Sequence, residues 1–127
     1  MDSEEMHVDA QACDIINTAK AEGRKIVAVG TTVQRVLESA VSADGKLKEY
    51  DGWTNKFIFP PYDFTLADAM IANFYPPYST LLMLTCAYGG YDLVMMAYKE
   101  ALKFNENDPE NRYRFGTYGD AMLILQD

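Results

Sequence analysis

The sequence has little positive charge, two cysteines and a single histidine. Eleven lysine and arginine residues stand against 19 aspartate and glutamate residues, so the formal net charge is -8. A surface of that sign repels phosphate backbones, and we expect this chain alone to bind nucleic acid poorly. Cys13 and Cys86 lie in apolar, helix-like contexts without metal-ligand spacing, and no signal segment precedes them. We therefore expect a cytoplasmic protein with reduced thiols.

Long apolar runs are also missing. The longest, around residues 81–84, is far too short to cross a bilayer, so we expect no membrane partner. With His7 as the only histidine, we expect no metal site and no Ser-His-Asp arrangement within this chain. The 127 residues are nevertheless 49% hydrophobic and 13% aromatic, which is typical of one globular domain and not of a disordered chain.

Apolar periodicity and turn residues predict a single α/β segment over residues 1–127. Asp9 is placed to cap a helix that runs to Ala21 and ends at Gly23. Residues 25–29 then have the nearly continuous apolar run of a buried parallel strand. A second helix with one apolar face follows over residues 33–41. This part of the chain is therefore predicted as helix, strand, tight turn and helix.

The rest of the chain is predicted in shorter pieces. Strands are expected at residues 57–59, 113–115 and 121–125, and a loop or exposed hairpin arm at residues 47–51. Helices are expected at residues 81–87 and, capped by Asp92, up to residue 102. Residues 66–74 fit either a strand or a helix, and their second half, residues 70–74, favours a strand. The fold class that follows is α/β, with a mixed or mostly parallel sheet flanked by helices. At least two strands are apolar on both faces, and they need more cover than this chain supplies. We expect the chain to form part of a larger sheet.

The first candidate site is the turn from the predicted strand into the second helix. Gly30 allows a tight turn, and the free amides of the helix start, with the hydroxyls of Thr31 and Thr32, suit a carboxylate or phosphate. Arg35 in the first turn opposes the helix dipole, which is easier to explain if it also faces a bound anion. The structural alternative is that Thr32 is a simple N-cap and that Arg35 pairs with Glu38.

The second candidate site is the segment from Asn73 to Thr80. A strand end, a proline-stiffened loop with the aromatic residues Phe74 and Tyr75, and a helix start capped by Ser79 or Thr80 meet here. Ligands of open α/β sheets bind at the carboxyl ends of strands, and aromatic faces suit an adenine, a base or a sulfonium. An ordinary packed loop is the structural alternative.

The third candidate site lies near the end of the chain. Gly116 and Gly119 on either side of Tyr118 permit close backbone approach to a ligand and leave the Asp120 carboxylate beside it. A glycine-bent hairpin with Asp120 as a turn residue is the alternative.

Taken in order, these segments resemble the C-terminal part of the S-adenosylmethionine:tRNA ribosyltransferase-isomerases of queuosine biosynthesis. Collinear motifs over nearly the whole chain carry the resemblance. They are Glu5-Met6-His7; residues 26–32 with Arg35 and residues 37–39; Gly52-Trp53-Thr54 with Phe57, Ile58 and Pro60; Asn73-Phe74 with Pro76 and residues 79–84; and residues 113–115 with residues 118–124.

The resemblance implies that S-adenosylmethionine is the ribosyl donor and that no metal takes part. Members of the family transfer and isomerise its ribosyl group onto a 7-aminomethyl-7-deazaguanine in tRNA, which gives epoxyqueuosine and releases adenine and methionine. This chemistry needs a base for the proton beside the sulfonium, a pocket for adenine and a hold on the methionine carboxylate. We expect Tyr75 and Asp120 to be the catalytic residues. The expected binding residues are Gly30, Thr31, Thr32, Arg35, Asn73, Phe74, Ser79, Thr80, Tyr118 and Gly119.

Two departures from the family pattern limit what the resemblance implies. Tyr75 stands where the family commonly has histidine after Asn-Phe, and tyrosine is a poorer base at neutral pH. The family's N-terminal portion and inserted β domain are absent, so the expected partners are that portion and, in the complete enzyme, tRNA. Two alternatives stay open: a small-molecule or nucleotide-binding module that kept the fold but lost the transfer, and a structural piece that completes another chain's sheet.

Overall fold

The chain contains both helices and strands, as the sequence predicts. A computed structural model describes residues 2–126. The strands are β1 (Glu4–Val8), β2 (Val27–Val29), β3 (Tyr50–Thr54), β4 (Ala69–Asn73) and β5 (Ala121–Leu125). The α-helices are α1 (Ala10–Ala21), α2 (Thr31–Ala40), α3 (Thr80–Gly89) and α4 (Tyr91–Asn107), and a short 3-10 helix follows at Pro109–Asn111.

Capping residues set most helix ends where the sequence places them. The Asp9 carboxylate accepts a hydrogen bond from the Ala12 amide at 2.8 Å, and the Ser79 hydroxyl accepts one from the Leu82 amide at 3.0 Å. Gly23 follows α1 with a φ of 74°, in the left-handed region that favours glycine. Helix α4 begins earlier than predicted, because Gly90 and not Asp92 is its N-cap.

A mixed three-stranded sheet in the order β2-β4-β5 confirms the predicted fold class. Strand β2 runs parallel to β4, with Ala28 opposite Met70, and β4 runs antiparallel to β5, with Met70 opposite Ile124. These three residues are buried and face α2 and α3 across a core that also contains Leu37 and Leu84. The core therefore lies on one side of the sheet.

Strands β1 and β3 form a separate antiparallel pair that the sequence did not predict. No strand was predicted at residues 4–8, and residues 47–51 were expected to be a loop or an exposed hairpin arm. Only Met6 and Val8 of β1 are buried, so the apolar signal in this strand is weak. The pairing is long-range, with Glu4 opposite Thr54, and no local pattern reveals it.

Two of the predicted strands do not form. Ile58 is fully buried, but residues 57–59 run into Pro60 and Pro61, which have no amide hydrogen to donate to a ladder. In residues 113–115, the backbone of Tyr113 is taken by the Asn105 side chain, which accepts from its amide at 2.7 Å and donates to its carbonyl at 3.2 Å. Both strand predictions were wrong. At residues 57–59 the following prolines cannot donate to a sheet, and at residues 113–115 the Asn105 side chain occupies the backbone groups of Tyr113.

No single helix within residues 2–126 has both the length and the apolar composition needed to cross a membrane. Helices α3 and α4 reach that length only as a pair, and this pair is bent by 116°.

Candidate functional site

The carboxyl ends of β2 and β4 each lead towards the start of a helix, and the two helix starts border one cleft. The cleft has a volume of about 430 Å³. Four of the lining residues are ones that the sequence predicts for the site. They are Thr31, Thr32 and Arg35 near the start of α2 and Thr80 at the start of α3. The lining residues are Asp2, Glu4, Thr31, Thr32, Arg35, Thr80, Leu81 and Leu84.

Gly30 makes the turn from β2 into α2. Its φ of 103° is rare for other residues, and its amide donates to the Ile71 carbonyl at 2.8 Å, which ties the turn to β4. Gly30 is itself the N-cap, so the alternative in which Thr32 caps the helix was wrong. No side chain caps α2, and its first-turn amides are left to the cleft or to solvent.

Arg35 lies at the base of the cleft and is 3% exposed. Its Nε donates to the Lys56 carbonyl at 2.9 Å, and its Nη2 donates to the Asp2 carbonyl at 2.7 Å and the Thr54 carbonyl at 3.3 Å. Its Nη1 pairs with the Glu4 carboxylate at 3.2 Å. Arg35 thus holds α2 against the β1–β3 pair, and an anion in the cleft has to compete with Glu4 for Nη1.

Glu38, the alternative partner of Arg35, has other contacts. It is buried, and its carboxylate accepts from the Thr65 amide at 3.1 Å. Burial, together with the charge of Glu38, raises the pKa of Tyr62 to about 12. The predicted pairing of Arg35 with Glu38 was therefore wrong.

Tyr75 is held from both ends beside the cleft. Its hydroxyl lies 3.1 Å from Thr31 Oγ1, and its amide donates to the Tyr98 hydroxyl at 2.9 Å. Both tyrosines are buried, at 8% and 5% exposure, and burial raises the pKa of Tyr98. The structure therefore brings the first and second candidate segments into direct contact.

Asn73 and Phe74 connect this region to the end of the chain. Asn73, the last residue of β4, is opposite Ala121 of β5. Phe74 is buried, and its ring packs on those of Tyr98, Tyr113 and Phe115 at centroid distances of 5.3 to 5.4 Å. Phe74 thus anchors the loop that follows β4 in a cluster of aromatic rings, and Asn73 lies at the carboxyl end of the central strand.

The loop before α3 also borders an apolar pocket. Tyr78 has a φ of 63°, in the left-handed region, and its side chain is fully exposed. The pocket has a volume of about 540 Å³ and lies between α3, α4 and the proline-containing loops. Its lining residues are Pro60, Pro77, Tyr78, Ser79, Leu82, Met83, Cys86, Tyr91 and Met95. Ser79 therefore caps α3 and faces this pocket, while Thr80 faces the cleft.

The third candidate segment lies next to Phe74 but outside the lining of the cleft. The Gly116 amide donates to the Phe74 carbonyl at 2.7 Å, which fixes the start of this loop. Tyr118 is 68% exposed, and Gly119 has a φ of 96°. Asp120 accepts from the amide and the Nε of Arg114, at 2.6 and 3.0 Å. These bonds from Arg114 hold the pKa of the Asp120 carboxyl below its ordinary value.

The sequence did not predict the acidic residues that line the cleft, nor the hydrogen bond that holds the Tyr75 backbone. Asp2 and Glu4 line the cleft because β1 pairs with β3, and Tyr98 reaches Tyr75 because α4 folds back along α3. Glu4 belongs to a strand and Tyr98 to a long helix, and their spacing in the sequence does not indicate that they lie near the site. Within residues 2–126, no group of three or more His, Cys, Asp or Glu side chains could hold a metal ion.

These elements define an α/β segment in which two helices begin at one end of a mixed sheet. Residues 1–124 match the family described as queuosine biosynthesis protein. The chain belongs to this family.

Named relatives agree with the assignment. The chain is 66% identical over 125 residues to the S-adenosylmethionine:tRNA ribosyltransferase-isomerase of Phocaeicola vulgatus, covering 98% of this chain and 34% of that protein. It is 48% identical over 124 residues to the enzyme of the same name from Coxiella burnetii, with the same shares covered. The chain therefore spans about a third of the length of these curated relatives.

A solved structure supports the fold as well. The S-adenosylmethionine tRNA ribosyltransferase of Thermotoga maritima is 45% identical to this chain and superimposes with a TM-score of 0.82. The match covers 94% of this chain and 39% of that protein. The resemblance to the C-terminal part of the ribosyltransferase-isomerases is confirmed.

Proposed function

We propose that this chain is the C-terminal segment of an enzyme that transfers and isomerises the ribosyl group of S-adenosylmethionine onto 7-aminomethyl-7-deazaguanine in tRNA. In this proposal the chain carries part of the donor site and is inactive alone. The names of its relatives support the reaction, and the cleft between the starts of α2 and α3 supports the donor site.

The two signs of charge around the cleft are the observation that carries the donor assignment. The uncapped start of α2 with Thr31 and Thr32 suits a carboxylate, whereas Asp2 and Glu4 suit a cation. The methionine part of S-adenosylmethionine carries a carboxylate, an ammonium and a sulfonium, so it offers both signs within one small molecule. We assign Thr31, Thr32 and Arg35 to the carboxylate and the acidic pair to the positive groups.

Tyr75 and Asn73 are then assigned to the reacting region, at the end of the central strand. The Tyr75 hydroxyl is already placed by Thr31 and can receive or return a proton only if that contact is exchanged for substrate. Tyr118 and Asp120 are assigned to polar contacts with the ribose or the base. Asp120 has to leave Arg114 or bind through a free lone pair to fulfil this role.

A binding module without transferase activity is the second candidate. The buried position of Tyr75 favours it, because a side chain that is 8% exposed and hydrogen-bonded to Thr31 leaves little room for a substrate at its hydroxyl. This candidate predicts that the chain binds S-adenosylmethionine and that restoring the missing two-thirds gives no product on tRNA.

The test is a thermal-shift and calorimetric titration of the chain with S-adenosylmethionine, with adenine and methionine as controls. A ligand that binds the native state raises its unfolding temperature, so we expect a shift with the intact donor that exceeds the shift with either fragment. The variant Thr31→Val keeps the shape of the side chain and should weaken the shift. Leu102→Thr, on α4 and away from the cleft lining, is the matched control and should leave it unchanged. A cooperatively folded chain with no shift contradicts a donor site in this segment.

A further inference from the structure

Glu4 and Arg35 form an ion pair at the base of the cleft, and its two members are held differently. Glu4 Oε2 lies 3.2 Å from Arg35 Nη1, with the Glu4 side chain 58% exposed and the Arg35 side chain 4% exposed. An exposed side chain changes rotamer rapidly, whereas a buried guanidinium that donates to several carbonyls is fixed in place. Glu4 is therefore the exchangeable member of the pair.

Nη1 is the nitrogen through which Arg35 can bind a ligand. The Nε–H and the N–H groups of Nη2 donate to the backbone carbonyls of Lys56, Asp2 and Thr54. Nη1 remains, and the Glu4 carboxylate already lies against it. A ligand carboxylate that enters from the cleft therefore meets Glu4 at the same nitrogen, and the two like charges repel each other.

The balance of charge in the cleft lining strengthens this repulsion. The lining contains the carboxylates of Asp2 and Glu4 and the guanidinium of Arg35, and its other residues are uncharged threonines and leucines. The carboxylates outnumber the guanidinium, so the cleft disfavours a simple anion. A ligand that carries a cation next to its carboxylate offsets the excess negative charge.

We propose that Glu4 is a specificity-determining residue of the cleft, which disfavours ligands with a carboxylate alone and accepts ligands with a carboxylate and an ammonium on the same carbon. The ligand carboxylate takes Nη1 of Arg35, and Glu4 turns from Arg35 to the ligand ammonium. The buried guanidinium thus keeps a counter-ion throughout, and Glu4 gains a new one. A simple carboxylate offers Glu4 no such partner.

This inference deepens the proposed function and rests on it, because the methionine part of S-adenosylmethionine is a ligand of this kind. The acidic residue then has two roles at one position. It attracts the ammonium of the correct ligand, and it repels a ligand that lacks one.

The first experiment needs no variant. L-Methionine and its deaminated analogue, γ-methylthiobutyrate, differ in the ammonium group, and each is titrated into the chain while the amide NMR signals of residues 31–35 are followed. We expect methionine to bind about fivefold more tightly, which is the contribution of one partly exposed ion pair. Equal affinity for the two ligands, or binding of neither, overturns the proposal.

The second experiment repeats both titrations with Glu4→Gln, which removes the charge and keeps the shape of the side chain. We expect γ-methylthiobutyrate to bind about fivefold more tightly, because the competing carboxylate is gone. The affinity for methionine should change less than about twofold, because the variant loses the partner of the ammonium together with the competitor. The preference for methionine should therefore nearly vanish, and an unchanged preference overturns the proposal.

Glu5→Gln is the matched control, since it removes the same charge from the neighbouring position of β1. Successive residues of a strand point to opposite faces, and Glu5 is exposed and lies outside the lining of the cleft. It should leave the preference for methionine at its wild-type value. An equal loss of preference in Glu5→Gln shows a general effect of charge and overturns the proposal. A cooperative urea transition checks that each variant is folded.

The outcomes separate this inference from the proposed function. A preference for methionine that Glu4→Gln removes, in a chain that gives no thermal shift with S-adenosylmethionine, keeps the role of Glu4 and contradicts the proposed function. A thermal shift with S-adenosylmethionine, in a chain whose preference for methionine Glu4→Gln leaves unchanged, keeps the proposed function and overturns this inference.

Discussion

The first two candidate segments and the third are held by different kinds of contact. Thr31, Arg35 and Tyr75 are buried, and their partners lie 19 to 44 residues away in the sequence. Asp120, by contrast, is fixed by Arg114, six residues before it, and Tyr118 between them faces outward. The difference teaches that distant contacts build the cleft, whereas a short-range ion pair orders residues 118–120 of a loop whose start is bonded to the Phe74 carbonyl.

The cleft and the C-terminal loop also differ in how complete they are within the described residues. The cleft already has its walls within this chain, since the described residues supply both helix starts and the acidic side. The C-terminal loop presents Tyr118 on the surface and ends at Ala121, opposite Asn73 at the carboxyl end of the central strand. The described residues therefore place this loop beside Asn73 but outside the lining of the cleft.

The largest effect is expected from breaking the buried contacts of Arg35. Arg35→Met should lower the free energy of unfolding by about 3 kcal/mol, because the buried Thr54 carbonyl and the partly buried Lys56 carbonyl lose their donor. Urea denaturation followed by far-UV circular dichroism measures the change. Arg114→Met in the exposed loop is the matched control and should lower the denaturation midpoint only slightly, because an exposed ion pair contributes little. Equal losses in the two variants would remove the distinction between the regions.

A smaller effect is expected from the support of Tyr75. Tyr98→Phe removes the hydroxyl that accepts from the buried Tyr75 amide, and we expect a loss of about 1.5 kcal/mol. Tyr91→Phe makes the same chemical change on a side chain that is 62% exposed, and it should have no measurable effect. Thermal unfolding of both variants tests this. A neutral Tyr98→Phe would show that the loop does not need this bond.

The smallest effect is expected from the pH response of the C-terminal loop. Arg114→Gln should raise the lowered pKa of Asp120 towards its ordinary value, and the residue 114 amide that still donates to the carboxylate should keep the return incomplete, as NMR titration of the carboxyl group would show. Because the pKa is lower in the folded state, the pair stabilises the fold above the unfolded pKa and loses this contribution as the pH falls through the folded value. Asp68 is the internal control, since the Ile26 amide and Lys20 lower its pKa, and it should not respond.

Local sequence signals predicted the parts of the fold that depend on neighbouring residues. Asp9, Gly23 and Ser79 mark helix ends through their own backbone and side-chain preferences, and the apolar runs of β2, β4 and β5 mark the central sheet. The four predicted residues of the cleft were found in the same way, because a strand that ends in a helix start is readable in the sequence.

The missed parts depend on partners that are distant along the chain. Glu4 lines the cleft through a strand pairing with residues 50–54, and Tyr98 meets Tyr75 only after α4 has turned back. Arg35 looked like an anion ligand because a cation in the first turn of a helix opposes the helix dipole. The backbone carbonyls that it binds come from Asp2, Thr54 and Lys56, and no side-chain pattern identifies a carbonyl as a partner.

The β1–β3 pair also sets an order for folding. Helix α1, strand β2 and helix α2 all lie between the two strands, so β1 finds its partner only after this whole stretch has been synthesised. Helices form from local contacts and need no such delay, whereas this ladder requires closing a long loop. On the ribosome, residues 4–8 therefore stay without a ladder until residue 54 has emerged. A nascent chain that stalls before that point contains α1 and α2 but not the strand pair that carries Glu4.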